Sequence, residues 1–266
     1  MTDARGHNLK EEGSPVCGRI ALFTPPARLA RLLDAALAAG IEPEGHPSWN
    51  VGPQRRLFAV NEEDGARTLD RYRWGLIPSW AKEASIGNRL FNARAETVAE
   101  KPSFRSAFAK RPCVIPVDGF YEWDHREGRG KQPHYFTRVD GEPLLFAGLY
   151  ERWHDHSEPV DAPVVQTCTV ITTEPNADLD ELHNRMPVIL AAGDVETWIN
   201  VADFGPDQRL TLLQPAPDGT LEHYSVDKAV GSVRNDGPEL IEPVEPGASS
   251  KSLRSGSRKP KTPSDQ

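Results

Sequence analysis

The sequence predicts an α+β fold: a single domain in which helices flank a mostly antiparallel, barrel-like sheet. Three observations lead there. Apolar, β-branched runs of strand length outnumber amphipathic helical stretches. Strands and helices do not alternate regularly, as a parallel βαβ sheet requires. Neither a G-x-G-x-x-G nor a P-loop pattern occurs. The chain has 266 residues, 38% of them hydrophobic, enough for one sizeable core. No linker-like stretch divides its middle, so one domain is expected over residues 17–242.

The elements follow in order. Residues 1–16 are polar and charged and read as a disordered leader or a misassigned start. A first strand is expected at 17–23. The stretch TPPARLARLLDAALAAG reads as one helix, with Thr24 as cap, Pro25 in the first turn and Gly40 at the close. Leu29, Leu32, Leu33, Ala36 and Leu37 form its apolar stripe. PSWNVGPQ (47–54) is a turn-rich loop, followed by strands at 57–60 and 69–74. WGLIPSWA (74–81) is compact and aromatic, and 87–111 holds a loop and then helical segments. Strands are expected at 113–123, 134–139, 144–153 and 164–173, helices at 177–183 and 195–199, and a last strand near 222–226. From about position 243 the chain turns to Pro, Gly, Ser and Lys/Arg, the composition of a solvated basic tail.

Composition excludes several classes. No run of about 18 apolar residues is present to span a membrane. The first sixteen residues lack the apolar core of a secretory signal, which predicts a cytoplasmic protein. Three cysteines without a C-x-x-C pair predict neither a disulfide framework nor a thiolate metal site, and no cofactor is implied. Cys113 and Cys168 sit in apolar, β-branched runs and read as core hydrophobes. Cys17 differs, lying beside a glycine and an arginine where the folded domain begins. A net charge of −8 does not favour nucleic acid, but a local cationic groove can bind phosphates on an acidic protein.

Four stretches concentrate reactive or hydrogen-bonding groups at strand ends and loops: CGR (17–19), NARAET (92–97), DGFYEW (118–123) and ELHNRMPVIL (181–190). With WNVGP (49–53) and WGLIPSWA (74–81), they resemble the SOS response-associated peptidase family, whose members are abasic-site processing proteins. The resemblance runs from Cys17 to about position 242, with the motifs in the family's order. Asn184 stands where family members commonly carry aspartate.

The resemblance implies covalent capture of abasic sites in single-stranded DNA through Cys17, with hydrolase and lyase-type chemistry and expression under DNA-damage control. The chemistry is sound for a cysteine whose α-amine is free. The amine condenses with the ring-opened aldehyde to a Schiff base, and the thiol then closes a thiazolidine ring. An internal cysteine cannot do this, because its nitrogen is an amide. Glu122, flanked by aromatics, is implied to be the proton shuttle if burial raises its pKa, although as a bare sequence feature it reads more readily as a solvent-facing strand glutamate. His183 is implied to help open the sugar and assist imine chemistry, although the chain has eight histidines and a lone one is ordinarily structural. Asn92 is implied to hold the amine or the lesion, against the plain alternative of a turn or cap. Arg19, Arg94 and Arg185 adjoin these positions and are expected at the phosphates flanking the lesion. Trp49, Trp74 and Trp80, with Pro53 and Pro78, are candidates to wedge or stack on bases, and Asn50 and Thr172 to make polar contacts. The expected state is a monomer, cytoplasmic and on the nucleoid when bound to DNA.

In the family the cysteine directly follows the initiator methionine, whereas here sixteen residues precede it. Two routes remove them. Val16 is the true start if its codon is GTG, or the chain cuts itself between Val16 and Cys17 with Glu122 and His183. Two rival readings remain: a cysteine protease using Cys17 and His183 on other proteins, and a non-catalytic single-stranded DNA-binding module.

Overall fold

The computed structural model describes residues 17–124, 131–155, 157–159 and 161–245. The expected leader and residues 246–266 of the expected tail lie outside them. Among the described residues the order is β1 (Ile20–Leu22), α1 (Pro26–Leu32), β2 (Ala36–Leu37), β3 (Ser48–Val51), β4 (Arg56–Glu63), β5 (Ala66–Trp74), β6 (Asn92–Arg94), α2 (Arg105–Lys110), β7 (Pro112–Val117), β8 (Gly119–Asp124), β9 (Gln132–Arg138), β10 (Leu144–Trp153), β11 (Val165–Thr173), β12 (Met186–Pro187), α3 (Val195–Ile199), α4 (Pro206–Leu210) and β13 (Leu221–Ser225).

Five of these strands close on themselves. β5 pairs with β4, β4 with β7, β7 with β10 and β10 with β11, all antiparallel. The ring shuts where β11 pairs parallel with β5, at Thr167↔Arg73 and Cys168↔Trp74. The parallel contact is a matter of parity, since a closed ring with an odd number of strands cannot be antiparallel throughout. Closure leaves these strands no free edge along the shared length. Every residue of β7, and nearly every residue of β10, is buried, because both faces of the barrel wall are covered. β2 lies parallel to β5 outside the ring, and β6 and β12 flank β11.

A second, fully antiparallel sheet runs in the order β13-β9-β8-β1-β3. Its core meets the barrel at Phe120, which stacks on Phe136 at 5.0 Å and meets the edge of Phe146 on β10 at 5.8 Å. Gly119 permits this packing, because a Cβ there would meet the Tyr135 ring and the Phe136 carbonyl oxygen. Trp198 of α3 caps one side of the wall, its indole N–H donating to the Cys113 carbonyl at 2.9 Å. Buried Arg209 serves the open carbonyls at the end of α2, donating to Phe108 O at 2.6 Å and Ala109 O at 3.0 Å.

The predicted α+β, barrel-like class is the one observed, and several element expectations are corrected. The single strand over 113–123 is two strands in two sheets. The break is Asp118, whose carboxylate accepts the backbone N–H groups of Phe23 at 2.6 Å and Thr24 at 2.8 Å. That capture turns the chain from the barrel into the second sheet. Thr24 caps no helix; its hydroxyl donates to Asp118, and Pro25 is the N-cap of α1. The helix ends after two turns, at the left-handed Asp34 (φ 50°). Ala36 and Leu37 then pair with Thr68 and Leu69 as a strand rather than extending the stripe. The helix expected at 177–183 is a run of turns, with Leu179 N bonded to Asn176 O and His183 N to Leu179 O. The first strand starts only at Ile20. No helix among the described residues is long and apolar enough to cross a membrane.

Candidate active site

The β1–β8 register sets the first cluster. Ile20 lies opposite Phe120 and Ala21 opposite Gly119, and Tyr121 N donates to Arg19 O at 2.9 Å. Running β1 back toward its start therefore brings Cys17 alongside Glu122, 105 positions away in the chain. Both are buried. The Cys17 backbone nitrogen donates to Glu122 Oε1 at 2.5 Å. Burial pushes the Glu122 carboxyl up to about 8, against the smaller opposing pull of the Cys17 and Trp123 N–H groups. A carboxyl in that range is largely protonated near neutrality. Burial also pushes the Cys17 thiol well up, and the negative charge available to Glu122 adds to it. Cys17 holds a left-handed backbone conformation, φ 45°, rare for a residue with a Cβ.

Arg19 and Asn50 form one unit beside this pair. Arg19 Nη1 donates to Asn50 Oδ1 at 2.7 Å and to Val230 O at 2.5 Å, and the guanidinium lies 5.8 Å from the Trp123 ring centroid. The Asn50 amide donates to Ser232 O at 3.0 Å and Asn235 O at 2.7 Å. Trp49 N and the Ser48 hydroxyl donate to Asp236. The segment 228–236 is thus tied across β3, with Arg19 and Asn50 as its fastening.

A second cluster of expected residues gathers at the end of β11. Its register with β6 sets Asn92 beside Val170 and Arg94 beside Thr172. On the opposite edge, Thr172 and Thr173 pair with Pro187 and Met186 of β12, immediately after the loop that carries His183 and Arg185. His183 is buried, and its Nδ1 accepts the Arg185 N–H at 3.1 Å. Arg185 in turn forks onto Glu96, with Nη1 at 2.5 Å from Oε1 and Nη2 at 3.0 Å from Oε2, and donates to Thr172 O at 2.5 Å. Glu96 lies below the ordinary carboxylate range: its own burial raises it, but hydrogen bonds and charge from Arg185 outweigh that.

The remaining candidates divide by exposure. Arg94 is exposed. Trp80 is 56% exposed, its indole N–H donating to Pro102 O at 3.3 Å. Trp49 is half-buried and stacks on Phe23 at 5.9 Å. The expectation that Trp74 stacks on bases is corrected. Its side chain has no exposed surface, lies against Phe91 and donates to the Phe91 carbonyl at 2.8 Å. Asn50 and Thr172 are buried as well, with Thr172 Oγ1 turned to Ala93 O at 3.4 Å. Sequence reasoning singled out neither Glu96 nor the 228–236 segment. The signal for Glu96 was its place inside the NARAET stretch, which also carries the candidates Asn92 and Arg94. Among the described residues, no group of three or more His, Cys, Asp or Glu side chains is placed to hold a metal ion.

Comparison with known proteins places the chain in a family. The family described as SOS response associated peptidase (SRAP) matches residues 16–233. The abasic site processing protein YoqW of Bacillus subtilis is 40% identical over 229 residues, covering 85% of this chain and 99% of the relative. The abasic site processing protein HMCES of Gallus gallus is 32% identical, covering 87% of this chain and 79% of the relative. A crystal structure of a Bacteroides thetaiotaomicron protein superposes with a TM-score of 0.76 at 26% identity, over 86% of this chain and all of that one. A Bordetella bronchiseptica protein gives 0.64 at 26% identity, over 79% of this chain and all of that one. The chain belongs to the SOS response associated peptidase family.

Proposed function

We propose that this protein, in a form that begins at Cys17, captures abasic sites in single-stranded DNA as a covalent thiazolidine. The observation that carries the reading is the 2.5 Å contact between the Cys17 nitrogen and the Glu122 carboxyl. It is the nitrogen, not the sulfur, that meets the buried acid, as chemistry begun by an amine requires. The names of the relatives, abasic site processing proteins, supply the substrate class.

The steps balance on the residues present. The free α-amine adds to the aldehyde carbon, and the carbinolamine loses water to give the imine. Glu122, protonated near neutrality, donates to the departing hydroxyl and recovers a proton from nitrogen. The thiol then adds across the C=N bond, its sulfur to carbon and its proton to nitrogen, with no further leaving group. A thiol held up by burial is a poor first nucleophile, which disfavours the cysteine protease reading, where a thiolate must attack first. His183 and Asn92 assist sugar opening and hold the lesion. Exposed Arg94 and Trp80 meet phosphate and base.

The preceding residues must go, by initiation at codon 16 or by cleavage before Cys17. Two features support cleavage at this bond. The positive φ of Cys17 costs about 1–2 kcal/mol and ceases to exist once the peptide before it is cut. Glu122 also stands within reach of the nitrogen that such a hydrolysis releases, where it can protonate the leaving amine as water supplies the Val16 carboxyl oxygen.

The test pairs two proteins, the full chain and one starting at Cys17, each mixed with abasic single-stranded DNA. The chain starting at Cys17 is expected to give a species resistant to denaturing electrophoresis whose mass is one water below the sum, lost on Cys17→Ala. Equal adduct from protein that retains residue 1, or from Cys17→Ala, overturns the reading.

A further inference from the structure

Arg185 stands in a sequence of three anchored positions. His183 N is held by Leu179 O at 3.0 Å, and Met186 is paired with Thr173 in β12. Between them the Arg185 N–H donates to His183 Nδ1, so the direction of this peptide bears on the orientation of the imidazole. With Nδ1 accepting, the neutral ring carries its proton on Nε2. The Arg185 side chain adds a further anchor to its own peptide. The guanidinium is mostly buried and forks onto the two Glu96 oxygens, with a third bond to Thr172 O. Glu96 lies two residues beyond β6, the strand that bears Asn92.

We propose that Glu96 is a positioning residue for His183: through its fork with Arg185 it fixes the Nε2–H tautomer and orientation of the imidazole and ties them to the strand of Asn92. The kinetic consequence rests on the function proposed above, whereas the tautomer does not. A bidentate carboxylate–guanidinium pair is among the most directional contacts available to side chains, and neither lysine in place of arginine nor glutamine in place of glutamate reproduces it. The competing role, Glu96 as an occupant of a phosphate site on Arg185, requires the carboxylate to leave when DNA binds and makes its removal beneficial.

The experiment reads both. Ring-nitrogen NMR of selectively labelled protein is expected to show His183 as the single Nε2–H tautomer while neutral, and to show the Nδ1–H tautomer alongside it in Glu96→Ala and Glu96→Gln. Arg185→Lys should match them, and Glu96→Asp should retain more of the native tautomer. On abasic DNA, crosslinking by Glu96→Gln in the chain starting at Cys17 is expected to slow about tenfold, with affinity for intact single-stranded DNA unchanged. An unaltered His183 tautomer in these variants overturns the proposal. So does tighter DNA binding with a steeper salt dependence, which would assign Glu96 to a phosphate site. Should a chain starting at Cys17 with no other change form no crosslink, the function proposed above fails while the tautomer measurement still decides the role of Glu96.

Discussion

Glutamine in place of Glu122 is predicted to end the chemistry and to stabilise the fold, by an amount that grows with pH. The magnitude follows from burial. Glu122 has essentially no exposed surface, and its carboxyl is pushed from an ordinary 4.5 up to about 8. Between those two values the folded chain keeps a proton that the unfolded chain has lost, so wild-type stability falls as pH rises through that window and levels off above it. At about 1.4 kcal/mol per pH unit, the penalty reaches about 5 kcal/mol at the upper end. Rearrangement around an ionised carboxylate lowers this, and about 2 kcal/mol is enough to move a melting temperature by about 4–8 °C in a chain of this size. Glutamine keeps the shape and the oxygen that accepts from Cys17 but never ionises. Thermal melts of Glu122→Gln and wild type, taken from below pH 5 to above pH 8, should therefore coincide at the acid end and separate toward the alkaline end. A chain starting at Cys17 adds an internal control. Its ammonium, replacing the amide 2.5 Å from Glu122 Oε1, favours the ionised carboxyl and should shrink the separation. Melting curves that run parallel across the whole range would refute the buried, protonated carboxyl and with it the proton-shuttle argument.

Two further predictions concern what surrounds that acid. Asn50→Ala leaves Arg19 and the carbonyls of Val230, Ser232 and Asn235 without their shared partner, and should cost on the order of 2–3 kcal/mol. Hydrogen exchange is expected to speed up over residues 228–236 before it does elsewhere, and unchanged protection there would deny Asn50 its fastening role. Trp80→Ala should weaken binding to single-stranded DNA by about 1–3 kcal/mol, as loss of one stacking platform does, while the melting temperature barely moves. A large drop in stability with unchanged affinity would place Trp80 in the fold instead.

The barrel strands were legible because buried β-branched runs such as VVQTCTVITT have few other uses, and the four motif stretches were legible as polar groups set at strand ends. Legibility failed wherever a distant partner overrode local preference. Residues Ala36–Leu37 continue a helical apolar pattern, yet β5 offers them a hydrogen-bonding edge, and they take it. CVIPVDGFYEW reads as one strand, and only the N–H groups of Phe23 and Thr24, far upstream, reveal that Asp118 is a corner. Trp74 sits in an aromatic, proline-containing stretch that suggests a surface wedge, but its neighbour across the ring closure is Cys168, and the parallel β5–β11 contact that draws it inward has no sequence signature. The same limitation governs the site. Cys17 and Glu122 were each identifiable, but the proposed mechanism rests on the hydrogen bond between them. That bond is set by the register of β1 on β8, in which displacement by a single residue would turn Glu122 to the other face of the sheet. Gly119 and the Asp118 corner fix that register, one by admitting Tyr135 and the other by anchoring the end of β1. The DGFYEW stretch is therefore one device. Its first residues place the strand so that its glutamate meets the nitrogen of Cys17, and so a substitution at Asp118, remote from any reacting atom, bears on the chemistry as directly as one beside it.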